Sequence, residues 1–174
     1  MNLPNKLTVA RMISVPFFVA AFMMQYYTVA FVLFIAASFT DMLDGKIARA
    51  RGLVTNFGKI MDPLADKILV YSALCLFVED GIIPGWTLIV ILAREFAIAG
   101  MRTVAASEGT VIAAGMSGKI KTVLQMIAVS VLIIAMGPLP MLMQPGMIVF
   151  WASLIMTIWS GLEYIIKNKS VFSM

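Results

Sequence analysis

The sequence predicts an all-α integral membrane protein, and three observations lead to that fold class. Of the 174 residues, 61% are hydrophobic and only 13% are charged, with a mean hydropathy of +0.99; soluble domains average about 45–50% apolar and about 25% charged residues. Apolar runs long enough to cross a bilayer recur along the chain, and basic residues gather between alternate runs. The composition excludes a soluble globular domain, a disordered chain and a nucleic-acid-binding module, despite a net charge of +4.

Six apolar runs predict a bundle of six transmembrane helices in a single domain that covers residues 1–174. A span takes about 20 residues, so six spans use roughly 120 residues and leave only short connections. The last connection, Gly137–Pro145, contains prolines at 138, 140 and 145, and we expect a loop there that cannot continue a helix. The runs are 8–25, 28–50, 60–79, 86–106, 117–136 and 146–166.

The distribution of basic residues predicts the topology. All thirteen Lys and Arg residues except Lys67 and Arg94 lie near the termini or beside the second and fourth connections. The first, third and fifth connections contain none. The positive-inside rule then places both termini in the cytoplasm of a multi-pass cell-membrane protein. An even number of spans agrees with that topology.

The second and third runs contain four carboxylates, Asp41 and Asp44 in one and Asp62 and Asp66 in the other. A charge at bilayer depth costs about 2.5–3.5 kcal/mol on insertion scales, so we expect these acids to have a function. Each pair has a spacing of three or four residues and shares a helix face. An antiparallel hairpin turning at 52–55 brings the two pairs to matching depths, which predicts one pocket near the cytoplasmic side.

Four converging carboxylates repel one another unless cations lie between them. Oxygen ligands alone suit Mg²⁺ or Mn²⁺ rather than Zn²⁺, and the chain has no histidine and a single cysteine, Cys75. A pair of such ions is an established way to promote phosphoryl transfer. The alternative is that the acids are ordinary surface charges at the cytoplasmic interface.

Residues beside the acids have properties suited to a phosphate ligand. Gly45 and Gly58 permit close approach of backbone and ligand, although helix–helix packing explains such small residues equally well. Arg49 lies one helical turn from Gly45 and can bind a phosphate through two hydrogen bonds.

Taken together, these residues resemble the signature of the CDP-alcohol phosphatidyltransferase family. The segment DMLDGKIAR at 41–49 and the segment GKIMDPLAD at 58–66, eight residues apart, match D-x2-D-G-x2-A-R-x8-G-x3-D-x3-D at every fixed position. The resemblance extends to N-x2-T-x2-R (Asn5, Thr8, Arg11), to the number of runs and to A-R-E-F at 93–96.

The resemblance implies a fold and an activity. The family transfers a phosphatidyl group from a CDP-lipid, here CDP-diacylglycerol, to an alcohol and releases CMP; its members have six transmembrane helices and commonly form homodimers. It implies that Asp41, Asp44 and Asp62 bind metal and that Asp66 both binds metal and deprotonates the acceptor hydroxyl. It also implies a set of residues lining the CDP group, namely Gly45, Ala48, Arg49 and Gly58.

Two polar residues of the first run, Asn5 and Thr8, recur with Arg11 at intervals of three. They can cover the nucleotide of the CDP-lipid from the amino-terminal helix. The alternative is that they only mark the start of a helix at the membrane interface.

Arg94 lies near the middle of the fourth run, where an arginine needs an anionic partner. We expect that partner to be an acceptor phosphate, because adjacent side chains point about 100° apart and Glu95 should not share its face. A structural ion pair with Glu95 or a motif aspartate is the alternative. Further candidates for the acceptor phosphate are Arg102, Lys119, Lys121 and Lys67.

Arg102, Lys119 and Lys121 can instead be membrane-interface anchors, which is all that we expect of Lys167 and Lys169. An anionic acceptor favours sn-glycerol 3-phosphate over serine, choline or ethanolamine, but does not separate it from inositol phosphate.

Two other classes of protein use intramembrane aspartates. Intramembrane prenyltransferases place them in paired motifs on separate bundles of a longer chain. A divalent-cation transporter would give no role to Arg49 or Gly45, and the chain shows no internal repeat of the kind common in transporters. Release of CMP from CDP-diacylglycerol distinguishes the transferase from both.

Overall fold

Six α-helices make up most of the protein in a computed structural model that describes residues 3–50, 56–107, 109, 112 and 115–169. Within these ranges the side chains at 3, 4, 41–50, 56–60, 62, 63 and 66 lie outside the description. No β-strand occurs in the part of the chain described, which confirms the all-α class. The helices are α1 (Leu3–Met23), α2 (Tyr27–Ala50), α3 (Asn56–Glu79), α4 (Gly85–Ser107), α5 (Met116–Ala135) and α6 (Met143–Lys167).

The helices coincide with the six apolar runs and extend a few residues beyond most of them. Each contains 20 to 25 residues, a rise of about 30–37 Å that matches a hydrocarbon core of about 30 Å. Within the part of the chain that the structure describes, three segments are long and apolar enough to cross a membrane, namely Asn5–Met23, Met116–Ala135 and Pro140–Lys167, and α2 contains a shorter apolar stretch, Tyr27–Thr40. The protein is therefore a helical membrane protein.

The connection before α6 differs from the expected loop. A 3-10 helix occupies Pro140–Leu142, and α6 begins at Met143 with Pro145 inside its first turn. The sequence-based prediction that no helix includes Pro145 is therefore wrong. A proline in the first turn loses no hydrogen bond, because the first N–H groups of a helix have no intrahelical partner.

Buried phenylalanine side chains from four helices belong to the apolar core. Phe18, Phe34, Phe77 and Phe150 are fully buried and come from α1, α2, α3 and α6. The Phe18 ring centroid lies 5.9 Å from that of Phe34. Helix α1 packs against both α2 and α3, while α6 packs against α4 and α5. This arrangement leaves polar residues of α3, α4, α5 and α6 to meet nearer the end of the bundle that contains the α4–α5 connection.

Small residues let α6 approach its neighbours closely. A Cβ atom added at Gly146 would lie 2.9 Å from Leu132 Cδ2 of α5, and one added at Gly161 would lie 2.9 Å from Arg94 Cγ of α4. Ser153, Thr157 and Ser160 are buried on the same helix. Their hydroxyls donate to backbone carbonyls three or four residues earlier, so these polar groups remain satisfied inside the bundle.

Candidate functional site

The aspartates of the family signature lie on two helices of the bundle. Asp41 and Asp44 belong to α2, and Asp62 and Asp66 belong to α3. Their side chains lie outside the described part, so the predicted pairing across a hairpin stays a prediction. The same holds for the predicted CDP-lipid contacts Gly45, Ala48, Arg49 and Gly58.

The donor set of the predicted metal site consists of four carboxylates and no nitrogen or sulfur ligand. Hard divalent cations prefer such oxygen ligands. The chemistry of these residues on α2 and α3 therefore fits Mg²⁺ or Mn²⁺.

The polar residues of α1 face the interior of the bundle. Asn5, Thr8 and Arg11 are 8%, 0% and 2% exposed, and the buried stripe continues through Val15 and Phe18. None of the three polar side chains is without a partner. Their burial between α1 and its neighbours argues against a mere helix start at the membrane interface.

Glu95 forms the centre of a charged cluster that joins three helices. Its Oε1 accepts hydrogen bonds from Arg94 NH1 and Lys121 Nζ, both at 2.7 Å, and its Oε2 lies 3.0 Å from Lys67 Nζ. The Glu95 and Lys121 side chains are only 9% and 5% exposed. Because breaking a buried ion pair leaves an uncompensated charge, these contacts hold α3, α4 and α5 in a fixed relation.

Arg94 is fixed on two sides. Its NH1 donates to Glu95, and its NH2 donates to Ser160 Oγ of α6 at 3.0 Å. Glycines give its side chain room, since Arg94 atoms lie 2.9 and 3.5 Å from where Cβ atoms of Gly161 and Gly118 would be. The expectation that Glu95 cannot share a face with Arg94 is wrong, because the two long side chains bend toward each other beyond their Cβ atoms.

A cavity of about 690 Å³ adjoins this cluster, between α3, α4, α5 and α6. A smaller cavity of about 40 Å³ lies next to it and shares Lys67 and Glu95 with it. Lys121 and Gln125 line only the smaller one. Among the residues that the structure describes, the charged side chains that line the larger cavity are Lys67, Arg94, Arg102, Lys167, Glu95 and Glu163.

Near the end of α6, Tyr164 contacts Arg102 and Glu163 contacts Lys167. Arg102 Nε donates to Tyr164 Oη at 3.2 Å, and its Cζ lies 5.5 Å from the Tyr164 ring centroid. Lys167 Nζ donates to Glu163 Oε1 at 2.5 Å. Lys167 also lines the larger cavity, although the sequence suggested only a membrane-interface anchor.

The structure brings together three of the five residues predicted for the acceptor phosphate. Lys67, Arg94 and Arg102 line one cavity, whereas Lys121 lies behind Glu95. Lys119 is exposed and does not line either cavity. Among the described lining residues cations outnumber carboxylates, which makes this part of the larger cavity receptive to an anion.

Sequence reasoning missed Ser160, Gly161 and Tyr164 as parts of the site. Ser160 and Tyr164 are four residues apart and share a face of α6, but nothing local in the sequence shows which helix that face meets. The sequence named Glu95 only as the alternative partner of Arg94, and the structure shows that ion pair.

The fold and these residues define a helical membrane protein that has an aspartate motif on two neighbouring helices and a cavity with cations among its described lining residues. A model of the CDP-alcohol phosphatidyltransferase family matches residues 1–159, and the chain belongs to that family. The resemblance of the aspartate motif is thereby confirmed.

Relatives match along nearly the whole chain. It is 43% identical to the CDP-diacylglycerol–glycerol-3-phosphate 3-phosphatidyltransferase of Bacillus subtilis, over 96% of this chain and 95% of that protein. Identity to the enzyme of the same name from Rickettsia felis is 36%, over 98% and 97%. Identity to a probable phosphatidylglycerophosphate synthase of Mycobacterium tuberculosis is 34%, over 95% and 81%.

Proposed function

We propose that the protein transfers a phosphatidyl group from CDP-diacylglycerol to sn-glycerol 3-phosphate and releases CMP. The near full-length similarity to enzymes with this name carries the proposal. The cation-lined cavity supports it, because glycerol 3-phosphate is an anion and serine or choline is not. Inositol phosphate has the same charge chemistry and is the alternative acceptor.

The reaction joins the acceptor hydroxyl oxygen to the phosphorus that bears the diacylglycerol. The bond from this phosphorus to the CMP oxygen breaks, so the product is phosphatidylglycerol phosphate. The proton of the hydroxyl passes to Asp66, which we propose as the base. The chain contains no histidine, so a carboxylate is the available group of suitable basicity.

We propose that Asp41, Asp44, Asp62 and Asp66 hold one or two Mg²⁺ or Mn²⁺ ions. When bound, such ions neutralise the pyrophosphate and stabilise the departing CMP. Asn5, Thr8, Gly45, Ala48, Arg49 and Gly58 are proposed to bind the CDP-lipid. The burial of Asn5 and Thr8 on the inner face of α1 supports their share in a site inside the bundle.

The acceptor phosphate is proposed to lie in the larger cavity against Arg94 and Lys67, with Arg102 nearer its mouth. Lys67 directly follows Asp66 in the chain and lines this cavity, which supports a short path from the phosphate site to the proposed base. Lys119, at the surface, is proposed only to add positive potential near the mouth.

We further propose that all six helices span the cell membrane, that both termini are cytoplasmic and that the site faces the cytoplasm. Helix lengths of 20 to 25 residues support six spans. The alternation of basic residues supports the orientation. A homodimer is proposed from the family resemblance, and light scattering of the detergent-purified protein tests it.

The test is CMP release by purified protein supplied with CDP-diacylglycerol and, in parallel, glycerol 3-phosphate, inositol phosphate or serine. We expect CMP and phosphatidylglycerol phosphate with glycerol 3-phosphate only. Equal turnover with inositol phosphate would contradict the proposed acceptor. Absence of CMP with every acceptor would contradict the transferase, leaving the prenyltransferase or transporter.

Asp44→Asn should lower the rate of CMP release at least roughly 100-fold, the scale of lost electrostatic stabilisation at a reacting phosphate. Activity should vanish with EDTA and return when Mg²⁺ or Mn²⁺ is added. Asp80→Asn, in the distant α3–α4 connection, is the matched control and should retain activity. A variant of Asp44 with wild-type turnover would exclude the proposed metal site.

A further inference from the structure

Glu95 presents a problem for a cavity that is proposed to bind an anionic acceptor. A carboxylate at the wall of the cavity repels a phosphate, yet Glu95 lines it. Glu95 is also buried within a helix of the membrane bundle, where a charge is costly. Its contacts with Arg94, Lys121 and Lys67 indicate what it does there.

The three cations around Glu95 are not equivalent. The Lys121 side chain is 5% exposed and lines only the smaller cavity, so it lies behind Glu95. The Lys67 side chain is 40% exposed and lines both cavities. The Arg94 side chain is 15% exposed, between these two values, and lines the larger cavity. Lys121 therefore neutralises Glu95 from within, while Arg94 and Lys67 remain open to a ligand.

The orientation of Arg94 depends on Glu95. An arginine on a membrane helix otherwise extends toward the interface, where its charge is hydrated. Here NH1 is held by Glu95 and NH2 by Ser160, and its aliphatic part packs where Gly161 has no side chain. A guanidinium fixed in this way loses less conformational entropy when it binds a phosphate.

We propose that Glu95, with Lys121 as its buried counter-ion, is a positioning residue that directs Arg94 into the acceptor cavity. This inference rests on the proposed function and extends it to two residues that act through Arg94. Lys121 then affects the acceptor through Glu95 and makes no contact with it.

Two double variants with the same formal charge test the hydrogen bond alone. Glu95→Gln with Lys121→Met keeps an oxygen that can accept from Arg94 NH1, whereas Glu95→Ala with Lys121→Met removes it. We expect the KM for glycerol 3-phosphate to be at least tenfold higher in the Ala pair than in the Gln pair. The KM values of the Ala pair and the Gln pair for CDP-diacylglycerol should agree within twofold. Equal acceptor KM values in the two proteins would overturn the inference.

A milder variant guards against loss of folding in the double variants. Ser160→Ala removes the second partner of Arg94 without changing charge, and it should raise the acceptor KM about threefold to tenfold while sparing the lipid KM. The double variants also lose a lysine, Lys121. Lys169→Met, at an exposed position that lines neither cavity, is the control for that loss. An unchanged acceptor KM in Ser160→Ala would also contradict the positioning of Arg94.

A binding measurement separates this inference from the proposed reaction. Glycerol 3-phosphate should raise the thermal unfolding temperature of the detergent-purified Gln pair more than that of the Ala pair, whether or not either protein turns over. If wild-type protein releases no CMP with any acceptor but the two pairs still differ in this shift, the proposed reaction fails and the positioning role stands. Equal shifts in the two pairs would reject the positioning role even if the reaction is confirmed.

Discussion

The ion pair between Arg94 and Glu95 shows that single side chains can override helix periodicity. Adjacent Cβ atoms point about 100° apart on a helix, yet NH1 and Oε1 of these residues lie 2.7 Å apart. Long flexible side chains can reach around the helix toward each other when both charges are buried. Because a charge inside a membrane protein is costly without a counter-ion, the Arg94 and Glu95 side chains adopt rotamers that form the ion pair.

Arg94→Gln should raise the KM for glycerol 3-phosphate about 10- to 100-fold, because a charge-assisted hydrogen bond is worth about 1.5–3 kcal/mol. The KM for CDP-diacylglycerol should change little. Arg49→Gln is the matched control and should weaken the CDP-lipid more than the acceptor. A two-substrate kinetic analysis of both variants decides the assignment, and the reverse pattern would mean that the two pockets are exchanged.

Gly161→Ala should also raise the acceptor KM, because the new Cβ would lie 2.9 Å from Arg94 Cγ and displace that side chain. Gly100→Ala adds the same methyl group to α4, where nothing lies within 4 Å of it, and should leave the KM unchanged. Steady-state kinetics of the two variants measure the difference. Wild-type acceptor KM in Gly161→Ala would indicate that Arg94 can move without consequence.

Helix α6 packs against its neighbours through small residues. Its glycine, serine and threonine residues allow α4 and α5 to approach closely. Such small residues are common at interfaces between membrane helices. Such interfaces rely on close van der Waals contact, since lipid supplies no hydrophobic force between helices. The position of α6 in turn places Ser160 beside Arg94 and Tyr164 beside Arg102.

Gly146→Val should destabilise the contact between α5 and α6. The added Cβ would lie 2.9 Å from Leu132 Cδ2 and 3.1 Å from Val131 Cγ1, and Leu132 is fully buried. Overpacking of this kind costs about 1–3 kcal/mol. The thermal unfolding temperature in detergent should fall by several degrees, while Gly100→Val, in open space, should lower it much less. Equal unfolding temperatures in the two variants would contradict the close packing.

On the scale of the whole molecule, the apolar core and the charged cluster occupy different parts of the bundle. The apolar core includes buried phenylalanines of α1, α2, α3 and α6, whereas the Glu95 cluster joins α3, α4 and α5 and reaches α6 through Ser160. Among the described residues, the ion pairs of Glu95 thus lie beside the larger cavity. This separation suits a membrane enzyme with one water-soluble substrate.

The proposed topology predicts which connections a membrane-impermeant maleimide reaches in intact cells. In a Cys75→Ser background, Asp80→Cys in the α3–α4 connection should be labelled from outside. Lys169→Cys after α6 should be labelled only once the membrane is permeabilised, because basic residues mark the cytoplasmic side. Labelling of Lys169→Cys in intact cells would reverse the orientation.

The sequence by itself determined the helices, the membrane class and the family. Apolar runs placed all six helices, because the length of a span and the apolar character of its residues are local properties. The aspartate motif is also local, since its fixed positions lie within 26 residues on α2 and α3. Only the beginning of α6 was misjudged, since a local rule about proline omits the free N–H groups of a first turn.

The tertiary structure alone decided the partners inside the cavity. Lys121 meets Glu95 across 26 residues, Arg102 meets Tyr164 across 62, and Arg94 meets Ser160 across 66. Such contacts depend on the rotation and crossing of whole helices, which small residues of α6 set by close packing. Charge and spacing could thus predict a group of cations for the acceptor. Only the packed bundle shows that Lys67, Arg94 and Arg102 line the larger cavity. It also shows that Lys121 contacts Glu95 from the opposite side.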